Sequence, residues 1–302
     1  MDENSVPATR ERSRVALVTC GQITALDPDD RLVIPELSRR GITAAPVVWD
    51  APDVDWAAFD LAVLRSVWDY PPRRDEFLAW AAKVPRLANP ADVITWNTDK
   101  RYLRDLALAG VPVVPTTWVE PGSAWRRPPG GDVVIKPAVG AGSLDSGRYD
   151  LGRAEHRDLA TAHVARLLAA GRRVMVQPYL AAVDTYGETA LTFLATGGEL
   201  VFSHAIRKNA MLTGPHERVD GLYKEESVRP RRPIDAELDI ARQALAAVPG
   251  GAERLVYARV DLIPGPDDLP VLVELELTEP SLFLGTADSA PERFAEAIAA
   301  RL

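Results

Sequence analysis

Short apolar segments alternate with helical segments over roughly the first ninety residues, and this alternation constrains the fold more than any other feature. The predicted strands are Arg14–Val18, Ala45–Trp49 and Leu61–Leu64, and the predicted helices are Leu32–Arg40 and Asp75–Val84. Strands that alternate with helices are typical of parallel sheets, because each strand needs a long crossover to return to the same edge. We therefore predict an α/β domain with a doubly wound, mostly parallel sheet over residues 15–95.

The chain changes character at Asn89-Pro90, and from there on strands outnumber helices. The further predicted strands are Val113–Val119, Val133–Lys136, Arg173–Gln177, Thr189–Ala195, Leu200–Arg207, Tyr257–Ile263 and Leu269–Leu277. The further predicted helices are one that follows a cap at Thr98-Asp99-Lys100 and ends at Gly110, and the segments Glu155–Ala170, Asp235–Val248 and Pro291–Leu302. Glycine-containing turns join the last four strands in pairs, which predicts two antiparallel hairpins. Asn209–Pro233 is polar, contains glycines and shows no clear period.

Composition excludes several classes of protein. The length of 302 residues predicts about two domains, and 47% hydrophobic residues supply a core that needs no disulfide or structural metal. A net charge of −8 argues against nucleic acid or an anionic membrane as the main partner. The single cysteine, Cys20, favours a reducing compartment and is a packing residue by this interpretation. Residues 1–14 are predicted to be a disordered tail, and no apolar run approaches the roughly 18 residues of a membrane span. We expect a cytoplasmic enzyme.

One predicted strand ends in a lysine that is followed by a glycine-rich loop. Lys136 precedes Gly140, Gly142 and Ser143. Such a loop directs backbone N–H groups at phosphate oxygens, while the lysine adds a positive charge. It is not a Walker A loop, and it lacks the third glycine of a dinucleotide fingerprint, because Asp145 stands there. By itself the loop is compatible with phosphate binding or with an ordinary hairpin.

The last predicted hairpin carries an acidic cluster. Arg259 and Asp261 share one face of the first strand, and Glu274 and Glu276 share one face of the second, since residues i and i+2 of a strand point the same way. A solvated strand face is the alternative, but the flanking residues are too apolar for it. Three converging carboxylates would be costly to bury without a cation, and oxygen ligands suit Mg²⁺. We therefore predict a magnesium site.

These motifs occur in the order found in the ATP-grasp superfamily of carboxylate–amine ligases, which the chain resembles from about residue 14 onward. The matching pieces are Asp99-Lys100, Lys136 before its glycine loop, Gln177-Pro178-Tyr179-Leu180, Asp261 and Glu274-x-Glu276. The resemblance implies an ATP-grasp fold with an N-terminal doubly wound pre-ATP-grasp domain. It divides the chain into this substrate-side domain (15–95), a central ATP-binding lobe (96–180) and a C-terminal lobe with the metal site (181–302).

The resemblance also implies ATP and Mg²⁺ as cofactors and assigns roles to individual residues. The nucleotide phosphates would be contacted by Lys100 and Lys136 together with Gly140, Gly142 and Ser143. Adenine would be recognised by the hinge, which consists of Gln177, Tyr179 and Leu180. Glu188 would lie near the ribose or the substrate. Asp261, Glu274 and Glu276 would bind Mg²⁺, although the family usually has asparagine where Glu276 stands. Arg259 and Lys136 would act in catalysis by stabilising the acyl-phosphate step.

Substrate residues are predicted from their positions at strand ends. Arg65 and Asp69 follow a predicted parallel strand, where ligands of open α/β sheets bind, and would hold a carboxylate and an amino group. The other candidates are Arg207 and Lys208 before the polar segment, and Thr278 and Ser281 after the acidic strand. Each of these also has an interpretation as a packing or loop residue. The polar segment Asn209–Pro233 is the predicted lid, with His216 inside it and no partner assigned.

The histidines carry weaker signals. His204 is predicted in or near the site, and His156 and His163 are predicted on a surface helix without a role.

The segments LRSVWDY, FSHAIRK and VELELTEPSLFL resemble a small branch of the superfamily. Its best-known member closes O-ureido-D-serine into D-cycloserine in antibiotic biosynthesis, and relatives with similar motifs could act on other amino acids. The implied reaction activates an amino-acid carboxylate as an acyl phosphate, which a nitrogen of the same molecule attacks. Two alternatives stay open: an intermolecular ligase that forms a dipeptide, and a nucleotide-binding regulatory module without turnover. The expected partner is a small amino-acid-like molecule, and the oligomeric state is left open.

Overall fold

The computed structural model describes residues 12–216, 221–223 and 227–302, and these residues form three sheets. The first eleven residues of the predicted tail lie outside the described residues, and Arg14 already belongs to the first strand. None of the helices within the described ranges is long and apolar enough to cross a membrane.

The first sheet is parallel, as the alternation of elements predicts. Its strands are β1 (Arg14–Thr19), β2 (Thr43–Val48), β3 (Leu61–Ser66) and β4 (Leu87–Ala88), in the order β2-β1-β3-β4, and its helices are α1 (Val33–Arg39) and α2 (Arg74–Ala81). Alternate residues of β1 face opposite sides: Leu17 packs with α1 residues, whereas Val18 packs with Phe77 of α2. Helices therefore cover both faces, which explains why residues 15–18 of β1 and 61–64 of β3 are uninterrupted apolar runs.

The second sheet is antiparallel and carries the glycine-rich loop. The elements of this region are α3 (Ala91–Asn97), α4 (Tyr102–Leu108), β5 (Thr117–Val119), β6 (Asp132–Pro137), β7 (Gly147–Asp150), α5 (Ala154–Ala169) and β8 (Val174–Pro178). The strand order is β5-β8-β6-β7. Ala160, Val164 and Leu167 recur at helical spacing and bury one face of α5 against this sheet. The loop between β6 and β7 is the predicted glycine-rich loop.

The third sheet is also antiparallel and carries the predicted metal ligands. Its region comprises α6 (Ala182–Tyr186), β9 (Glu188–Thr196), β10 (Glu199–Lys208), β11 (Val228–Arg231), α7 (Asp235–Ala246), β12 (Tyr257–Pro264), β13 (Pro270–Glu276) and α8 (Ala290–Ala299). The strand order is β11-β10-β9-β12-β13. Both predicted hairpins, β9–β10 and β12–β13, are confirmed.

Two apolar clusters join these regions into one body. Tyr102 and Leu106 of α4 pack with β12, β13 and α7. Phe294 and Ile298 of α8 pack with β1, β3 and α1, so that the C-terminal helix returns to the first sheet. The cavity described below therefore lies among elements that share buried cores.

Some predicted elements are wrong. Only Thr117–Val119 of the predicted strand Val113–Val119 is a strand, and Val113 makes one bridge to Leu272. Pro115 interrupts the segment because it has no N–H to donate to a ladder. By contrast, the helix predicted after a cap at residues 98–100 is confirmed as Tyr102–Leu108.

The sequence patterns did not predict four short elements, β4, α3, β7 and α6, whose lengths give little periodicity. The predicted lid is also not irregular throughout, since β11 pairs with β10 inside it. Residues 217–220 and 224–226 of that segment lie outside the described residues.

Candidate active site

A cavity of about 450 Å³ collects most of the predicted site residues from all three regions. The predicted residues that line it are Lys100, Lys136, Gly140, Gly142, Ser143, Gln177, Tyr179, Leu180, Glu188, Lys208, Arg259, Asp261, Glu274, Glu276 and Ser281. Its volume falls within the roughly 300–1,000 Å³ of small-molecule sites. The roles of these residues stay predictions, but the structure brings them together.

The register of β12 and β13 builds the charged floor of this cavity. Arg259 lies opposite Glu276, and Asp261 lies opposite Glu274, so all four side chains share one face. The Arg259 guanidinium donates to Asp261 at 2.9 Å and to Glu276 at 2.5 Å. Lys208, at the end of β10, donates to Asp261 Oδ2 at 2.7 Å and also contacts Glu188.

The two lysines predicted to bind phosphate approach this floor from the second region. Lys136 Nζ lies 2.8 Å from Glu274 Oε1, and Lys100 Nζ lies 3.8 Å from Glu274 Oε2. Lys100 also donates to the carbonyl of Gly140 at 2.8 Å, which connects it to the glycine-rich loop. Positive charges from the second and third regions therefore meet three carboxylates in one place.

The three carboxylates differ in their affinity for protons. Burial raises the pKa of Glu276 to about 7, and the nearby charges of Asp261 and Glu274 add to this despite Arg259. Burial also acts on Glu274, but Lys100 and Lys136 outweigh it and lower the pKa of Glu274 to about 2. Arg259 and Lys208 likewise outweigh burial and hold the pKa of Asp261 well below its usual range. Negative charge is thus concentrated at this face.

This donor set fits Mg²⁺ and a polyphosphate. Asp261, Glu274 and Glu276 supply only oxygen ligands, which a hard divalent cation prefers. In the structure, Glu274 is paired with the two lysines. A bound magnesium–nucleotide complex would offer phosphate oxygens to those lysines and a cation to the carboxylates.

The predicted adenine hinge lies at the end of β8. Gln177 is buried and donates to Thr116 Oγ1 at 2.9 Å. The backbone N–H of Tyr179 donates to the Asp132 carbonyl at 2.8 Å, so this donor is used within the protein and is not available to a base. The Arg148 guanidinium lies 3.6 Å from the centre of the Tyr179 ring and covers it.

Described parts of the predicted lid cover the glycine-rich loop. Gly142 has a φ of +59°, and a Cβ there would lie 2.5 Å from the Leu222 carbonyl oxygen and 2.6 Å from Tyr223. The Tyr223 ring contacts Trp68 edge-on, with centroids 5.0 Å apart. Only glycine allows this approach, so the loop and the covering residues fit each other closely.

Four of the predicted substrate residues do not line the cavity: Arg65, Asp69, Arg207 and Thr278. Arg65 is fully buried and donates to Asp30 at 2.8 Å and to the Pro280 carbonyl at 2.5 Å. Asp69 accepts a hydrogen bond from Trp49 Nε1 at 2.9 Å. Both side chains have partners within the protein, so their predicted contact with substrate stays a prediction without support from the geometry.

Arg207 and Thr278 are engaged in the same way. Arg207 Nη2 donates to the Thr185 carbonyl at 2.5 Å, and its Nε donates to the Tyr186 carbonyl. Thr278 is buried and donates to Asn97 Oδ1 at 3.2 Å. Arg207 therefore braces the segment before β9, and Thr278 anchors the chain after β13.

The sequence analysis singled out Thr278 and Ser281 but missed how the backbone of the segment 278–282 is held. Every backbone carbonyl of the 278–282 segment accepts a hydrogen bond from a side chain elsewhere in the fold. The donors are Tyr257 to Thr278 (2.9 Å), Trp68 to Glu279 (2.9 Å), Arg65 to Pro280 (2.5 Å), Arg259 to Ser281 (2.9 Å) and His204 to Leu282 (2.8 Å). The segment is held rigidly beside the charged floor, and His204, predicted in or near the site, lies behind it. Because these donors come from distant parts of the sequence, no local sequence pattern predicts these hydrogen bonds.

The prediction that His163 is a surface residue is wrong. His163 is only 4% exposed, its Nδ1 lies 2.8 Å from the Tyr149 hydroxyl, and its ring stacks on that of His216 at 4.9 Å. His216, for which the sequence offered no partner, therefore packs against α5. Asp145 lies beside these rings and is ion-paired with Arg166 at 2.8 Å. This cluster ties the glycine-rich loop and the covering residues to α5.

Comparisons with known proteins identify relatives of this chain. The family model for the D-cycloserine synthetase DcsG, N-terminal domain, matches residues 15–89. The cycloserine biosynthesis protein DcsG of Streptomyces lavendulae is 41% identical over 306 residues, which cover 95% of this chain and 98% of that protein. The crystal structure of D-cycloserine synthetase DcsG has a TM-score of 0.83 at 39% identity, over 96% of this chain and 99% of that one.

A more distant structure shows the wider fold. The ATP-grasp ligase PsnB, solved with a phosphomimetic variant of its minimal precursor, Mg and ADP, has a TM-score of 0.59 at 18% identity, over 96% of this chain and 99% of that one. The fold is therefore that of ATP-grasp ligases, and the protein is an enzyme. Since 41% identity extends over nearly the whole length of both sequences, the chain belongs to the D-cycloserine synthetase family of ATP-grasp ligases.

Proposed function

We propose that the protein uses ATP and Mg²⁺ to activate the carboxylate of O-ureido-D-serine, and that a nitrogen of the same molecule then closes the ring of D-cycloserine. The observation that carries the reaction class is the single cavity that joins Lys100, Lys136, Arg259 and three carboxylates. The names of the relatives at about 40% identity supply the substrate. The need for ATP is consistent with a cytoplasmic location.

The reaction needs activation because a carboxylate is a poor electrophile. In the first step, a carboxylate oxygen attacks the γ-phosphorus of ATP, the bond to the bridging oxygen breaks and ADP leaves. In the second step, nitrogen attacks the acyl carbon, phosphate leaves and the nitrogen loses a proton. The nitrogen that closes the ring still carries a carbamoyl group, which hydrolysis releases as carbon dioxide and ammonia.

The cationic residues meet the charge that develops during phosphoryl transfer. Lys100 and Lys136 hold phosphate oxygens, and Arg259 lies where the carboxylate and the transferring group meet. Asp261, Glu274 and Glu276 would hold Mg²⁺, which would neutralise phosphate charge when bound. Arg259 and the three carboxylates are positioned before substrate binds, because the register of β12 and β13 sets their spacing.

The covered cavity supports ring closure over ligation of two molecules. Asn209–Leu212 and Tyr223 line it and lie over the glycine-rich loop, where they exclude water that would hydrolyse an acyl phosphate. A site of about 450 Å³ that also has to hold a nucleotide leaves room for one small amino acid more readily than for two.

Stoichiometry tests the proposal. Purified protein is incubated with ATP, Mg²⁺ and either O-ureido-D-serine, its L isomer or a panel of D- and L-amino acids, and ADP, ammonia and products are measured. We expect ADP and ammonia in equal amounts with O-ureido-D-serine alone. Formation of a dipeptide without release of ammonia would show that the protein catalyses the intermolecular reaction and not ring closure. Absence of substrate-stimulated ADP release throughout would overturn the proposal.

A matched pair of lysine variants controls this assay. Lys136→Ala removes a charge at the phosphates, and we expect it to lower kcat by about 100-fold or more. Lys83→Ala removes an exposed lysine that does not line the cavity, and we expect it to leave turnover unchanged.

A further inference from the structure

The geometry points to Glu279 as the residue that binds the α-ammonium group of the amino-acid substrate. This inference rests on the proposed function and extends it to the recognition of the substrate. Glu279 lines the cavity on the 278–282 segment, directly after the strand that carries Glu274 and Glu276.

Glu279 is held in place before any substrate binds. Its backbone carbonyl accepts from Trp68 Nε1 at 2.9 Å, the next carbonyl accepts from Arg65 at 2.5 Å, and the Tyr70 hydroxyl lies near its carboxylate. Tyr70 itself is fixed by stacking on Phe77, with ring centroids 5.0 Å apart. A carboxylate that is already ordered binds a ligand without the entropy loss of ordering a loop.

Glu279 also differs in charge pairing from Glu188 and from the carboxylates of the charged floor. Asp261, Glu274 and Glu276 each lie against a lysine or an arginine, and Glu188 contacts Lys208. Within the described ranges, no lysine, arginine or histidine forms an ion pair with Glu279.

Burial, with Glu276 nearby, raises the pKa of Glu279 to about 8. Lys100 offsets this rise only in part. A largely enclosed carboxylate that forms no ion pair among the described residues is unfavourable until a cation joins it. An ammonium group supplies that cation.

The position of Glu279 matches the arrangement of groups in an α-amino acid. The same carbon carries the ammonium group and the carboxylate, so both must bind close together. Arg259 donates to the Ser281 carbonyl, two residues beyond Glu279, and also reaches Asp261 and Glu276. A substrate carboxylate at this charged floor therefore places its ammonium group beside the 278–282 segment.

Binding at Glu279 has a consequence for the choice of nucleophile. An ion pair with a carboxylate stabilises the protonated amine, which has no lone pair with which to attack an acyl phosphate. The ureido nitrogen is then the nucleophile that remains, and ring closure is favoured over condensation of two amino acids. Three points of attachment, the ammonium group, the carboxylate and the side chain, also distinguish D from L substrate.

The test compares two substrates on two enzymes. Glu279→Gln keeps the shape of the side chain and an acceptor for Tyr70 but removes the charge. The substrates are O-ureido-D-serine and the analogue in which hydrogen replaces the α-amino group. The parent enzyme should prefer the amino substrate by about 100-fold in kcat/KM. In Glu279→Gln, this preference should fall to about threefold or less, while KM for ATP stays within about twofold.

Two further variants distinguish a binding role from a structural one. Glu279→Asp retains the charge and should retain a preference of at least about tenfold for the amino substrate. Asp27→Asn changes another carboxylate that lines the cavity. If the preference disappears in Asp27→Asn and survives in Glu279→Gln, the inference is overturned. It is also overturned if Glu279→Gln lowers kcat for both substrates equally.

The outcome can be separated from that of the proposed function. Turnover of O-ureido-D-serine by the parent enzyme tests the function, whereas the ratio between substrates tests Glu279. Binding is measured in parallel by calorimetry with a non-hydrolysable ATP analogue, using D-serine and its des-amino counterpart. A parent enzyme without turnover that still prefers the amino ligand, with the preference lost in Glu279→Gln, supports the inference alone. Equal affinity of the parent for both ligands overturns it.

Discussion

Replacement of Arg65 by methionine tests whether this arginine supports the fold or binds substrate. The Arg65 side chain is completely buried, donates to Asp30 at 2.8 Å and to the Pro280 carbonyl at 2.5 Å, and its guanidinium lies over the rings of Tyr257 and Phe294. Methionine fills a similar volume without the charge. We therefore expect Arg65→Met to destabilise the protein strongly.

The size of the effect follows from what the substitution leaves behind. Asp30 is 2% exposed. After loss of Arg65, the Asp30 carboxylate would keep the hydrogen bond that it accepts from the Ser66 hydroxyl at 2.7 Å. Removal of one partner of a buried ion pair costs about 3–5 kcal/mol of unfolding free energy. At roughly 2 °C per kcal/mol for a chain of this size, the Tm should fall by about 6–10 °C. Because Arg65→Met/Asp30→Asn removes both charges, the double variant should regain at least about 1 kcal/mol.

The assay is thermal unfolding of the parent, both single variants and the double variant, with steady-state kinetics on the same samples. A Tm of Arg65→Met within about 2 °C of the parent, together with a KM for the amino acid raised by about tenfold or more, would refute the structural reasoning. Arg65 would then bind substrate, as its position after the predicted strand Leu61–Leu64 suggested. A double variant whose loss equals the sum of the single losses would show that the pair is not coupled.

Three other predictions concern the metal site, the loop and the histidine cluster. Glu276→Ala should raise the Mg²⁺ concentration for half-maximal ADP release by about tenfold or more, and an unchanged Mg²⁺ dependence would remove Glu276 from the metal site. Gly142→Ala should lower kcat more than Gly131→Ala, because both have positive φ but only Gly142 faces Tyr223 across 2.6 Å; equal kinetics would contradict this. Burial lowers the pKa of His163 to about 4, so stability should fall by up to about 3 kcal/mol as pH drops from 6.5 towards 4. In denaturant titrations at a series of pH values, the free energy of unfolding of His163→Gln should not show this loss between pH 6.5 and 4. An identical pH dependence in the variant and the parent would count against a buried, neutral His163.

The sequence analysis was most successful where the evidence lies within a few residues. The alternation of strands and helices predicted the parallel first sheet, and the i, i+2 spacing of Arg259 with Asp261 and of Glu274 with Glu276 predicted one charged face, which the register confirms. The alternation of side chains along a strand is a property of the local backbone, so it can be recognised from a single sequence. Short elements such as β4 and α6 were missed, because two to five residues show too little of a period.

Only the tertiary structure decided which predicted residues meet and which serve as supports. Lys136 and Glu274 are 138 positions apart, and Arg65 and Pro280 are 215 apart, yet both pairs are in contact. A buried arginine beside a strand end has the same local sequence whether it binds a substrate carboxylate or a backbone carbonyl. His163 and Glu279 gain their environments in the same way, from residues that the fold brings to them. The sequence by itself determined the family, the strand pattern and the candidate motifs, because each of these depends on residues that are close together in the chain. The pairing of charges and the burial of individual groups depend on contacts between distant residues, which only the structure shows.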